Sequence, residues 1–282
     1  MVRIITDSST LHSVKQGEAL GIDVSMLSVT INNKTYREFE EIGTKEFIDL
    51  INQGHIPTSS QPSIGEVLAL YNKYPQDDLL NITIADGLSG TYQTALSAAG
   101  MAHDPGRITV LNSRTLCGPH RYLVSKAIEL AKGGKAVKAI VAELEKLIAT
   151  SRSFLIPQDF DYLRRGGRLS SIVARIGKLI KLAPVMTLTE DSKQMTRFSI
   201  QRSFRRAVQT IVEELQRLGV DHTCQISISH SVAEDLLHTA REMVSRAFPS
   251  TEILTYLLSP AFTVQGGPRC VAIQTIRKGD FS

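Results

Sequence analysis

Short apolar runs alternate with amphipathic ones from Val2 to Thr150, and this alternation constrains the fold more than any single residue does. Residues 2–6, 79–84 and 107–111 are compact runs of strand length. Residues 44–52, 64–71, 91–101, 120–132 and 135–150 carry apolar side chains at helical spacing, as in Val137, Ile140, Val141, Leu144, Leu147 and Ile148. Residues 23–31 read as one extended segment, and Asn32-Asn33 as a tight hairpin into Lys34-Thr35-Tyr36. A strand, a helix and a further strand share one sheet through a crossover. The pattern therefore predicts a mostly parallel sheet covered by helices, with ligands bound beyond the carboxyl ends of its strands.

After Ser153-Phe154-Leu155-Ile156-Pro157 the composition changes, and a basic segment broken by Gly166-Gly167 introduces a second set of elements. Residues 185–188, 196–200, 225–230, 252–255 and 271–276 read as strands, and 204–218 and 232–248 as helices. The expectation is two α/β domains with helices packed on mostly parallel or mixed sheets, 1–157 and 158–282. At 42% hydrophobic, the chain can supply their cores. No apolar stretch reaches bilayer length, and the amino terminus enters a strand pattern without a signal-peptide profile, so a cytoplasmic protein without stable membrane insertion is expected. Cys117, Cys224 and Cys270 are far apart and form no Cys-x-x-Cys pair, and the seven histidines are dispersed. Neither a disulfide framework nor a metal site is expected, and each histidine reads as a surface or capped residue.

Two hydroxyl-rich turns carry the functional signal. Pro57-Thr58-Ser59-Ser60-Gln61-Pro62-Ser63 and Gly87-Leu88-Ser89-Gly90-Thr91-Tyr92 each join an extended segment to a helix. Hydroxyls and the free N–H groups of helix starts can hold a carboxylate or phosphate without a cation beside it. Ser89 also invites comparison with a nucleophile elbow, but Gly90 follows it directly and Thr91 occupies the place of the final glycine. A serine hydrolase acting on small acyl substrates through Ser89 is thus the alternative reading. No phosphate loop or dinucleotide fingerprint is present, and no cofactor is expected.

Residues 163–189 contain no Asp or Glu but hold Arg164, Arg165, Arg168, Arg175, Lys178 and Lys181; Arg197, Arg202, Arg205 and Arg206 extend the bias. This reads either as a solvated basic loop before a helix containing Ile172, Val173 and Ile176, or as a surface for docking or phosphate contact, with Arg168 and Arg205 as docking candidates. Nucleic acid is not the expected partner, because the chain lacks Trp, is only 6% aromatic and interleaves no aromatic residues with its basic ones.

In order along the chain, Ile5-Thr6-Asp7-Ser8-Ser9, Ser59-Ser60-Gln61-Pro62-Ser63, Gly87-Leu88-Ser89-Gly90-Thr91-Tyr92-Gln93 and Leu163-Arg164-Arg165-Gly166-Gly167-Arg168-Leu169-Ser170 resemble the DegV proteins, fatty-acid-binding subunits of bacterial fatty acid kinase. The resemblance implies a DegV-like fold that buries a long-chain fatty acid and has no catalytic turnover of its own. It implies that Ser59, Ser60, Ser89, Gly90 and Gln265 surround the carboxyl group. It also implies that Arg168 engages a dihydroxyacetone-kinase-like fatty acid kinase subunit, with Arg205 a docking candidate on charge alone. Gln265 stands where the family commonly has His, and Gln cannot take a proton near neutral pH. Together with Ala85-Asp86 in place of a common Ser-Ser, and Asn112 in place of an Asp, this implies a divergent member that binds lipid but supports phosphoryl transfer poorly.

Overall fold

The computed structural model describes residues 1–171 and 182–279. The chain begins with β1 (Val2–Asp7), a short 3-10 turn (Ser8–Thr10), α1 (Val14–Leu20), β2 (Asp23–Ser25), β3 (Ser28–Ile31), β4 (Lys34–Arg37), α2 (Thr44–Asn52) and β5 (Thr58–Ser60). It continues through α3 (Ile64–Asn72), β6 (Asp78–Thr83), α4 (Thr91–Met101), a second 3-10 turn (Pro105–Arg107), β7 (Ile108–Asn112), α5 (Cys117–Lys132), α6 (Val137–Ile148), β8 (Arg152–Ile156) and α7 (Phe160–Gly166). Then follow β9 (Ala183–Leu188), β10 (Met195–Gln201), α8 (Phe204–Arg217), β11 (Cys224–His230), α9 (Glu234–Ala247), β12 (Glu252–Leu257), α10 (Pro260–Gly266) and β13 (Val271–Arg277).

The first sheet, in the order β2-β1-β6-β7, is parallel throughout. Both of its faces are covered, so its central strands bury successive residues rather than alternate ones: Ile4 and Ile5, and Leu79 and Leu80. On one face α5 and α6 set Leu123, Val124, Ile140 and Leu144 against Ile4, Leu80 and Ile82. On the other, α3 and α4 set Val67, Tyr71, Ala95 and Ala98 against Ile5 and Leu79. Small residues on α4 allow that approach. Burial of each of these larger aliphatic side chains stabilises the fold by about 1.5–3 kcal/mol.

The second sheet, β10-β9-β8-β13-β11-β12, is mixed, with only β11 and β12 parallel. Its outer face is covered by α8 and α9 through Val208, Ile211, Leu215, Ala240 and Val244. Its inner face turns toward the first unit, where α5 touches both sheets. Gly118 there lies so close to β11 that a Cβ would sit 1.9 Å from Ser227 Oγ. β8 precedes position 157, so this sheet takes in residues on both sides of the expected 157/158 boundary. A small antiparallel sheet, β4-β3-β5, completes the α/β architecture. Its Asn32-Asn33 hairpin has φ of 50° and 58°, the left-handed pair that a two-residue turn of this hand requires.

Three expectations change. The extended segment 23–31 divides at Met26-Leu27, because the Met26 N–H donates to Glu66 Oε1 (3.1 Å) and the Leu27 N–H to Ser8 Oγ (2.9 Å), removing both from a ladder. The first hydroxyl turn is partly a strand, since Thr58–Ser60 pairs with β3. Arg164 and Arg165 lie in the last turn of α7, not in a loop; Asp159 caps that helix through the Asp161 N–H (2.9 Å), and Phe160 and Leu163 bury its inner side. The expected helix at Ile172, Val173 and Ile176, with Arg175, Lys178 and Lys181, lies outside the described residues.

Candidate functional site

The second hydroxyl turn follows β6 of the parallel sheet, while the first lies on and just beyond β5 of the small antiparallel sheet. β5 ends at Ser60, and Ser63 then caps α3 by accepting from the Glu66 N–H (3.1 Å). β6 leads through Gly87-Leu88-Ser89-Gly90 into α4. The two turns are tied together by Gln61, whose Nε2 donates to Thr94 Oγ1 (3.2 Å) across Gly90. Gly90 permits this crossing, because a Cβ at that position would lie 2.5 Å from Gln61 Oε1. The role of Gly90 is thus close approach rather than left-handed backbone.

Behind the turns is a cavity with about 120 Å³ of room for the centres of water-sized spheres. Ser59, Ser60, Ser89 and Gln265 line its polar end. Its walls come from both units: Leu27, Ile84, Leu88 and Leu116 from the first, and Leu155, Leu163, Leu188, Met195, Leu258 and Phe262 from elements beyond position 150. Gln265, on α10, donates from Nε2 to Ser59 Oγ at 3.1 Å, so it belongs to the same polar group as the first turn. Ser89 Oγ and Thr91 Oγ1 are 2.8 Å apart, and Ser89 Oγ also accepts from the Thr91 N–H (3.3 Å). No histidine lines the cavity among the described residues, so the hydrolase reading lacks a base for Ser89.

Among the described residues, the cavity lining is nearly free of charge. Arg168 is the one ionic side chain among its described lining residues. Its guanidinium donates to Leu88 O (Nε, 3.1 Å) and to Gly166 O, so it pins the second turn as well as facing the cavity. Arg205 is not brought to the site. It lies in an exposed groove between α8 and α9 with Arg206, Gln209, Met243 and Arg246. The two candidate docking residues therefore occupy different places, one in the cavity wall and one on the outer face. Cys117 and Cys270 also line the cavity. Burial raises both thiols, Cys270 to about 12, so they present neutral sulfur to any ligand.

Burial also corrects the view of the histidines. His12, His120 and His230 are almost fully enclosed. His120 spans Ser9 Oγ (2.8 Å) and Ile82 O (3.1 Å), and burial holds its ring below the usual histidine range. Among the described residues, no cluster of three His, Cys, Asp or Glu is placed to hold a metal, and no helix is long and apolar enough to cross a membrane.

The hairpin joining β9 to β10 packs on the Ser89 turn, and Lys193 pairs with Asp86 there. A Cβ on Gly87 would fall 2.2 Å from the Lys193 backbone, so the hairpin rests on a bare glycine. Gly87→Ala must lift the hairpin. It is expected to lower stability by about 1–3 kcal/mol and to accelerate ligand release, measured by thermal melting and by stopped-flow displacement.

The family model described as "Uncharacterised protein, DegV family" matches residues 1–278. The chain belongs to the DegV family. This DegV member is similar to a DegV domain-containing protein of Listeria innocua, at 32% identity over 256 residues covering 89% of each chain. Among solved structures it is similar to one described as "Fatty Acid Binding of a DegV family Protein from Thermus thermophilus", with TM-score 0.89, 27% identity and coverage of 98% of this chain and 99% of that one. It is also similar to "DegV, a fatty acid binding protein from Bacillus subtilis", with TM-score 0.86, 29% identity and coverage of 98% and 99%. The DegV-like α/β fold expected from the ordered motifs is therefore the fold of this chain.

Of the residues singled out in the sequence, Ser59, Ser60, Ser89 and Gln265 line one cavity and Gly90 lies beside it under Gln61; Arg168, expected at a docking surface, lines the cavity too, while Gln61 as the bridge between the turns and nearly all of the apolar wall were missed. Gln61 was readable as part of the first turn. The wall was not, because its residues come from segments far apart in sequence, each carrying one or two of them.

Proposed function

We propose that this DegV member is a carrier that binds one long-chain fatty acid in the cavity and presents its carboxyl group to a separate ATP-dependent kinase subunit for acyl-phosphate formation. The observation that carries the reading is the pairing of an apolar, nearly uncharged cavity with Ser59, Ser89 and Gln265 at one end. Each methylene transferred from water contributes about 0.8 kcal/mol, so on the order of ten give roughly 8 kcal/mol before ordering costs. The carboxyl end needs only hydrogen bonds, which hydroxyls and an amide supply. The fatty-acid-binding Thermus and Bacillus relatives support the same ligand class.

Presentation to a kinase follows from the family resemblance, and the positions of Arg168 and Arg205 suggest two roles for it. Arg168 holds the Ser89 turn and supplies the one cation among the described lining residues. Arg205, in the outer groove, is available to an acidic partner surface. Gln265 cannot accept a proton where the family has His, so phosphoryl transfer from a dihydroxyacetone-kinase-like subunit should be slow. Gln265→His is expected to raise acyl-phosphate formation about tenfold or more, within the range for restoring a general acid–base group. The assay is thin-layer separation of labelled acyl phosphate formed from loaded carrier, kinase subunit and ATP. No product from either form would remove the kinase partnership, while leaving fatty acid binding to be judged by calorimetry.

A further inference from the structure

Ser153 on β8 and Gln274 on β13 are paired across the ladder, and both line the cavity. Gln274 is only 1% exposed and its carboxamide is fully committed. Nε2 donates to Leu116 O (3.1 Å) and to Ser153 Oγ (2.8 Å), while Oε1 accepts from the Gly118 N–H (3.4 Å). Gln274 thereby ties the second sheet to the start of α5. Ser153 Oγ accepts that one bond and, among the described residues, donates none. The cavity that it lines is otherwise walled largely by apolar side chains, Leu116, Leu155 and Leu188 among them.

The position of this hydroxyl separates it from the acyl head. Leu155 Cδ1 lies 3.7 Å from where a Cβ of Gly266 would be, and the neighbouring Gln265 is the partner of Ser59. Ser153 is two residues further along β8, about 7 Å. A fatty acid with its carboxyl group at Ser59 and Ser89 would therefore set methylenes, not its head, against Ser153. A saturated chain would displace water from that hydroxyl and give it nothing to bond, whereas an oxygen on the chain would accept its proton.

We propose, resting on the fatty-acid reading above, that the preferred ligand of this chain is a fatty acid oxygenated part-way along its chain, with Ser153 Oγ donating to the chain oxygen. The chain oxygen is that of a hydroxyl or keto group. Stearic acid, its mid-chain hydroxy and keto derivatives and its α-hydroxy derivative are titrated by calorimetry into the full-length protein and into Ser153→Ala. The wild type is expected to bind the mid-chain derivatives about tenfold more tightly than stearic acid or the α-hydroxy isomer. Ser153→Ala is expected to reverse that order, tightening stearic acid by removing an unpaired hydroxyl from its path; binding of stearic acid by the variant also shows that it is folded. Equal or weaker binding of the mid-chain derivatives by the wild type overturns the proposal, as does a preference that survives in Ser153→Ala. Failure of every acid, stearic acid included, would instead overturn the carrier reading on which the proposal rests.

Discussion

Replacing Ser59 and Ser89 together by alanine is expected to weaken fatty acid binding by about a hundredfold or more, while leaving the thermal melt close to that of the wild type. Both hydroxyls lie at the polar end of one cavity, and Ser59 is held in place by the Gln265 carboxamide. A hydrogen bond to a charged group is worth about 1.5–3 kcal/mol, so losing two removes about 3–6 kcal/mol of binding. The apolar walls are untouched, which confines the effect to the head group. Both serines are only half-buried, whereas Ser8 and Ser9 are fully buried. Calorimetry with a long-chain acid reads the affinity. An unchanged dissociation constant would place the carboxyl group somewhere else, and a collapsed melt would make the two serines structural.

The second large effect concerns stability and lies outside the cavity wall. Glu38 is fully buried at the end of β4, where Ser8 Oγ donates to Oε1 (2.6 Å) and the Ala261 N–H donates to Oε2 (2.9 Å). It thereby holds the start of α10, the helix that carries Gln265. Burial raises its carboxyl from 4.5 to about 7, against the lowering effect of those hydrogen bonds. Below pH 4.5 the group is protonated in both folded and unfolded chains, and its contribution to stability is complete. Between about 4.5 and 7 the folded state holds the proton and the unfolded chain does not, so stability falls as pH rises; above about 7 the loss is complete. The loss amounts to about 3 kcal/mol, or roughly 6–12 °C in melting temperature for a chain of this size. His12, His120 and His230, whose rings burial holds below the histidine range, act with the opposite sign as pH falls through their ordinary value of 6.5. The Glu38 contribution is therefore the difference between wild type and Glu38→Gln. The variant is expected to be the more stable of the two at pH 8, with its advantage disappearing by pH 4.5. A difference that does not vary with pH would mean that Glu38 stays ionised in the fold.

These two predictions illustrate what was and was not legible in the sequence. The helices 44–52 and 91–101 were readable to the residue, because one face of each is apolar or small and the other is polar. Ser59 and Ser89 were readable because hydroxyls cluster where a strand hands over to a helix. α10 was not, since Ala261, Thr263, Val264 and Gly266 bury it nearly all round and leave no amphipathic stripe. Glu38 was hidden for the opposite reason. Arg37-Glu38-Phe39-Glu40-Glu41 reads as a solvated charged stretch, and only the tertiary structure encloses one of its three acids. Arg168 was legible as a special arginine but not as a wall residue, because its partner Leu88 O is eighty residues away in the chain.

Mass spectrometry of the organic extract of the purified protein bears most directly on whether the cavity holds an acyl chain. One long-chain fatty acid per chain, oxygenated or not, with Ser59→Ala/Ser89→Ala protein prepared in parallel yielding much less, is the predicted result. An extract free of fatty acid, from protein that also fails to take up added long-chain acid, would contradict it.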